Sequence, residues 1–268
     1  MESLGFRHFA DQSPNHLALA APDGRHWSRG ELYSESCSLA RGLENNGLVA
    51  GDWVAVLLPN CAGFIALQLA VEQLGCALLP LDPLLAPADA SNRLRNCGAR
   101  LFISHECLGH AACRLAADAL IPQTHRFAIG NVQGFQLYDA LRVPTSQAGT
   151  PDCGELEEHS TLSESDDIHY CGAPLHDSAV MAWVVSSLQC GHSIVLADDW
   201  DPLQILRNFE QYRVTDSYLT ADQVADLQSV TADVSETFDL ASVHHLIHGG
   251  RHCLISATAS PHRVQDSA

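Results

Sequence analysis

Strand-length runs of unbroken apolar residues, each followed by a segment of helical length, bound this chain's fold more tightly than anything else in it. "DWVAVLLP" (52–59) is the clearest run. A strand that is hydrophobic on both faces has to be covered on both faces, which is the condition of a strand inside a parallel sheet. Parallel neighbours need a crossover connection, and a helix with an apolar stripe is the usual one.

The rhythm repeats along the chain. "LALAAP" (17–22) is a short apolar run stopped by Pro22-Asp23-Gly24. In "SRGELYSESCSLARGLENNG" (28–47) Ser28 stands as an N-cap and Glu31, three residues on, completes a capping box. Leu32, Leu39 and Leu43 form its stripe, and Asn46-Gly47 its stop. After the run at 52–59, Asn60 reads as the cap of "CAGFIALQLAVEQLG", followed by the strand "CALLPL". The helix "ADASNRLRNCG", strand "ARLFISH" (99–105), helix "AACRLAADAL" (111–120) and strand "RFAIG" (126–130) continue the series. It resumes in the back half with "IHYCGAPL", a helix capped by Asp177, "HSIVLAD", a helix opened by Asp201-Pro202, "TDSYLT", "ADQVADLQSV" and "VHHLIHGG". The expected fold is α/β, with layered, doubly wound, mostly parallel sheets. The expected organisation is a first α/β subdomain (1–143), an acidic linker (144–167), a partial second α/β subdomain (168–250) and an irregular tail (251–268).

Charge and cysteine usage narrow the function. Thirty-two acidic residues stand against 14 basic ones, a formal charge of −18 that repels phosphate backbones, so a nucleic-acid partner is not expected. Every basic side chain is an arginine; the sequence contains no lysine. The ten cysteines form no C-x-x-C pair and sit mostly among Ala, Leu and Val, which reads as reduced, buried thiol. No apolar run is long enough to cross a bilayer, and "MESLGFRHFADQSP" lacks the basic start and apolar stretch of a signal peptide. The expected location is cytoplasmic.

Several phrases, in order, resemble the adenylate-forming superfamily, in its fatty-acyl-CoA synthetase branch. They are "FADQSPNHLALAAPDGRHWSRGELYSESCSLARGLENNGLVAGDWVAVLLPN", "GARLFISHE", "CGAPLHDSAVMAWVVSSLQCGHSIVLADDWDP", "YRVTDSYLT" and "LASVHHLIHGG". The resemblance implies ATP-dependent activation of a carboxylic acid to an acyl-adenylate, then transfer to coenzyme A, with magnesium. It also implies a Ser/Thr/Gly-rich loop ending in Lys to cradle phosphate, a Tyr-Gly-x-Thr-Glu phrase for magnesium, and a C-terminal lysine. None of these is present. The loop's place, between "FAIG" and "CGAPL", holds "PTSQAGTPDCGELEEHSTLSESDD", where "SQAGT" (146–150) is only an echo.

The expectation is therefore a degenerate, truncated relative, unable to adenylate, that retains acyl or nucleotide binding. One alternative is an active ligase in which arginine substitutes for lysine. The other is a fragment left by a deletion and a changed reading frame, since the codons for 250–254 can be read two bases later as a family-like Ala-Pro-Leu-Pro. An unfinished parallel sheet also leads us to expect self-association and a back half less stable than the front.

Two histidine-rich stretches suggest metal sites. In "HYCGAPLHD", His169, Cys171, His176 and Asp177 are all competent ligands, but alternation puts 169 and 171 on one strand face and 176–177 beyond a turn. By resemblance His176 and Asp177 stand at an acyl-channel corner, with Asp177 reading more simply as a helix cap. In "HHLIHGGRHC", His244 and His248 share a face with Leu246, opposite His245. Gly249 and Gly250 correspond to a turn beside the adenine, or simply to a turn leaving the strand. Neither stretch has the spacing of a known ligand set, so no metal is expected. Trp27, Trp53, Trp183 and Trp200 read as core or boundary residues, and Asp198, Asp199 and Asp201 as a solvated helix start.

Overall fold

The computed structural model describes residues 5–144, 167–198, 200–220, 222–227, 238–248 and 251–254. Within them the strand–helix alternation forms two sheets and three helix layers.

The front strands are β1 (Leu17–Ala20), β2 (His26–Ser28), β3 (Trp53–Leu57), β4 (Ala77–Pro80), β5 (Leu101–His105), β6 (Arg126–Ile129) and β7 (Gln136–Leu137). The back strands are β8 (Ile168–Cys171), β9 (Ser193–Leu196), β10 (Asp216–Tyr218), β11 (His245–His248) and β12 (Arg251–Leu254). The helices are α1 (Gly5–Gln12), α2 (Arg29–Asn45), α3 (Ala62–Gln73), α4 (Pro87–Asn96), α5 (Gly109–Asp118), α6 (Ser178–Gln189) and α7 (Pro202–Tyr212). A five-stranded sheet runs β4-β3-β5-β6-β7, every pair parallel. A seven-stranded sheet runs β12-β11-β10-β8-β9-β1-β2, parallel inside and closed at each edge by an antiparallel pair.

Period-two side-chain placement builds the layers. In β3, Val54 and Val56 face a central core while Ala55 and Leu57 face an outer one. In β9, Ile194 and Leu196 face the central core and Val195 the opposite side. The central core lies between the sheets and contains side chains of α1, α2, α3 and α6. Residues of α4 and α5 cover the outer face of the five-stranded sheet, and residues of α7 that of the seven-stranded sheet. Runs apolar on both faces are thus buried on both faces, as expected from the sequence.

Local signals hold where they were legible. Ser28 Oγ accepts from Glu31 N–H at 3.1 Å, and Glu31 Oε2 accepts from Ser28 N–H at 2.8 Å. Asp177 and Asp201 cap α6 and α7, each accepting from a backbone N–H two residues on.

Other expectations are corrected. Asn60 caps nothing: the N-cap of α3 is Cys61, with no side-chain bond. Asn60 Nδ2 instead donates to Ala173 O at 3.0 Å and Ala197 O at 2.7 Å, and its Oδ1 accepts from Leu175 N–H at 2.8 Å. One amide side chain thus ties the end of β3 to the exits of β8 and β9. The hairpin β1–β2 joins the seven-stranded sheet through β9, so the change of sequence pattern at 144–167 is not a boundary between sheets. The tail does not begin irregularly, because 251–254 pairs antiparallel with β11, Arg251 opposite His248. Among the described residues no helix is long and apolar enough to cross a membrane.

Candidate functional site

In open α/β sheets, ligands bind beyond the carboxyl ends of the strands. Here both sheets direct those ends into one cleft of about 620 Å³. Ala21 follows β1, Asn60 follows β3, His105 ends β5, Gly130 follows β6 and Asp198 follows β9, and all line it. Trp27 and Tyr138 contribute aromatic wall, and Cys61, Ala62 and Gly63 bring in the start of α3.

Two buried donors stand out. The Tyr138 hydroxyl and the Trp27 indole N–H have no hydrogen-bond partner among the described residues. Both residues are nearly inaccessible, at 4% and 8% exposed. Buried polar atoms are almost always satisfied, so two orphans beneath a cleft wall are exceptions; both atoms are closed off from the cleft's solvent in this structure. Burial raises the Tyr138 pKa well above the ordinary phenol value, which keeps the hydroxyl protonated as a donor.

The cations of the cleft are already engaged. Arg142 donates to Glu35 Oε1 at 2.8 Å and to Asp139 Oδ1 at 2.6 Å. The Arg25 guanidinium lies 3.7 Å from the centre of the Trp27 ring and 4.0 Å from Glu31 Oε1. Asp23, Asp139 and Asp198 add negative charge to the lining. His105 Nδ1 stands 3.0 Å from Cys107 Sγ, but burial lowers the histidine pKa and raises that of the thiol. The two therefore do not form a thiolate–imidazolium pair. Burial also pushes Cys61 to about 11, so it is no ready nucleophile.

The residues singled out from sequence lie elsewhere. His176, half-buried after β8, has Nε2 3.7 Å from Asp82 Oδ1, and Asp177 caps α6; neither lines the cleft. Gly249, Gly250 and Asp199 fall outside the described residues, as do the side chains of His248, His252 and Cys253. His244 and His245 are exposed, whereas Leu246 is buried. His169 and Cys171 share a face as expected: His169 stacks on Trp183 of α6 and Cys171 enters the central core. Burial, with His192 alongside, lowers His169 to about 4, and burial raises Cys171 to about 12. Among the described residues, His169, Cys171, His176 and Asp177 do not converge; His169 clusters instead with Asp167 and His192.

Two residues dismissed as core or solvated, Trp27 and Asp198, turn out to line the cleft. Trp27 lies on β2, and Asp198 is the last residue of the run "HSIVLAD", at the carboxyl end of β9. Trp200 donates to Asp226 Oδ2 at 2.9 Å, and Trp53 is 40% exposed.

Comparison with known proteins places this geometry. Residues 6–130 match the family described as AMP-binding enzyme. Among curated relatives, 4-coumarate–CoA ligase 5 of Oryza sativa subsp. japonica is 23% identical, over 91% of this chain and 51% of its own length. A feruloyl-CoA synthase of Amycolatopsis sp is 26% identical, over 90% of this chain and 52% of its own length. The chain spans about half the length of the curated relatives it matches.

Solved structures share the fold. The luciferase-like enzyme of Zophobas morio superposes with a TM-score of 0.77 at 15% identity, covering 94% of this chain and 66% of that one. The N-terminal domain of FACL13 from Mycobacterium tuberculosis gives 0.72 at 18%, covering 91% and 68%. Two sheets around a shared helix layer, a cleft at their carboxyl ends and the match over residues 6–130 agree: over its front half this chain is similar to the AMP-binding enzyme family, and along most of its length it shares the fold of that FACL13 N-terminal domain.

Proposed function

We propose that this chain is a degenerate acyl-CoA-synthetase-like protein, one that binds a small acyl or nucleoside ligand in the inter-sheet cleft but does not adenylate a carboxylic acid. The cleft itself supports the binding half of the proposal: about 620 Å³ at the carboxyl ends of both sheets, walled by Trp27 and Tyr138, suits a small acyl or nucleoside group. A slight shift of that wall would bring the Tyr138 hydroxyl and Trp27 N–H within reach of its oxygens.

The negative half rests on charge. Bringing a polyphosphate against a carboxylate needs several cationic or N–H groups converging on the anionic oxygens. The sequence has no lysine, Arg142 and Arg25 are held by Glu35, Asp139, Glu31 and Trp27, and the segment at 144–167 is acidic. Magnesium triphosphate does not fit such a lining. His176 and Asp177 are proposed as remnants of the acyl-channel corner, with Gly249 and Gly250 as the remnant of the adenine-side turn. The protein's own edges, β2 and β12 in one sheet and β4 and β7 in the other, are the proposed routes of self-association.

The test is a melting-temperature screen with AMP, ATP, 4-coumarate, ferulate, a long-chain fatty acid and an acyl-CoA, alongside ATP–pyrophosphate exchange. The expected result is a rise of a few degrees with an acid or AMP, from about 2.7 kcal/mol of linkage at a hundredfold excess over Kd, and no exchange. Robust exchange would show an active ligase with substitute residues. No response to any compound would favour the gene-fragment reading.

A further inference from the structure

We infer that the amino ends of β8, β9 and β10, on the side of the sheet away from the cleft, carry a divalent-metal site of zinc type, built from His169, His192 and Asp167. These three residues each place a ligand atom within 4.8 Å of the other two, although Asp167 and His169 precede α6 and His192 follows it. Asp167 Oδ2 and His192 Nε2 are 3.5 Å apart. That is close to the separation of two ligands sharing a tetrahedral ion with bonds of about 2.0–2.1 Å.

Hydrogen bonding assigns the histidine tautomer. Ser187 Oγ donates to Trp183 O, the carbonyl four residues back in α6, at 2.8 Å. Its single proton is thereby used, so at 2.7 Å its oxygen accepts from His169 Nδ1–H. His169 Nε2 is left with a lone pair and stands 3.5 Å from Asp216 Oδ2 at the start of β10. Asp216 Oδ2 accepts from Thr215 Oγ1 at 2.7 Å, whereas His169 Nε2 is an acceptor facing a carboxylate, an arrangement that a cation beside the two would favour.

A hydroxyl that fixes the Nδ1–H form and leaves Nε2 free is the supporting arrangement seen around metal-bound histidines. His192 directs Nε2 toward Asp167, while its Nδ1 is buried and has no hydrogen-bond partner among the described residues. The Trp183 ring, stacked on His169 with centroids 4.7 Å apart, holds the imidazole plane in place. Two imidazoles and a carboxylate, with Asp216 in reserve, suit Zn²⁺ better than Ca²⁺ or Mg²⁺, which prefer oxygen ligands only. A bound ion would clip the start of β8, immediately after the acidic segment, to β9.

The experiment uses the full chain with no histidine tag, titrated with Zn²⁺ against a chromophoric chelator, with melting temperature followed in parallel. The expected result is one tight equivalent of Zn²⁺ that raises the melting temperature. His192→Ala and Asp167→Asn, both at partly exposed positions, are expected to weaken binding at least about tenfold and remove the thermal response. Ser187→Ala is expected to weaken it about 10–100-fold while circular dichroism stays unchanged. His244→Ala, at an exposed position, is expected to leave binding as it was. Co²⁺ in place of Zn²⁺ is expected to give ligand-field bands without thiolate charge transfer, distinguishing this site from the cysteines. Binding equally tight in His192→Ala and Asp167→Asn, a thiolate spectrum, or only weak multi-site uptake would each overturn the assignment.

Discussion

Tyr138 and Asn60 show how much single side chains contribute here. Tyr138 places a protonated hydroxyl in the cleft wall with nothing described to receive it. Removing an unsatisfied buried group relieves its desolvation cost, whereas removing a satisfied one leaves a partner exposed to that cost. Tyr138→Phe is therefore expected to leave the ligand-free protein as stable as before, or more stable by about 1 kcal/mol, in urea denaturation. The same variant is expected to lose most of the ligand-induced rise in melting temperature. A variant that is destabilised without ligand would show that the hydroxyl has an internal partner. Asn60 is the opposite case. Its three hydrogen bonds bridge the exits of three strands, so its position directly after an apolar run was informative while its expected role as a helix cap was not.

Between elements, α2 and the 3-10 turn at Tyr138–Leu141 approach each other closely. A Cβ on Gly42 would lie 1.7 Å from the Leu141 carbonyl oxygen, and backbone cannot move aside as a flexible side chain can. In an isolated helix, Gly→Ala would add about 1 kcal/mol of stability. Overpacking against backbone costs about 1–3 kcal/mol or more, so Gly42→Ala is expected to be a net loss of about 2 kcal/mol, read from the urea midpoint. A gain would mean that α2 and the turn are not so closely apposed. The helix itself was legible from Ser28, Glu31 and its leucines, because caps and stripes act within one or two turns. The neighbour that requires glycine at 42 lies almost a hundred residues away.

For the chain as a unit, the two sheets share one core. Leu19 of β1, Val54 of β3, Leu67 of α3, Val184 of α6 and Ile194 of β9 all belong to the central cluster, and β1 pairs directly with β9. The halves on either side of 144–167 are thus mutually dependent. With a protease site inserted between 150 and 160, the cut protein is expected to run as two bands in denaturing gels but as one species in size-exclusion chromatography. Residues 1–144 expressed alone are expected to aggregate, because β1 and the inner faces of α2 and α3 lose their cover. Separate elution of stable halves would contradict the shared core.

Alternation and capping encode which residues are buried and where an element begins, and those interactions are local. Hence the strand–helix order, the two-faced burial of β3 and the caps at Ser28, Asp177 and Asp201 could all be read from the amino acids alone. Pairing is different. An apolar strand states that it needs neighbours but not which ones, and the choice depends on packing across the entire core. That is why β1 joins β9, why Ala21 and Asp198 meet in one cleft, and why His169 finds Asp167 and His192 rather than Cys171 and His176.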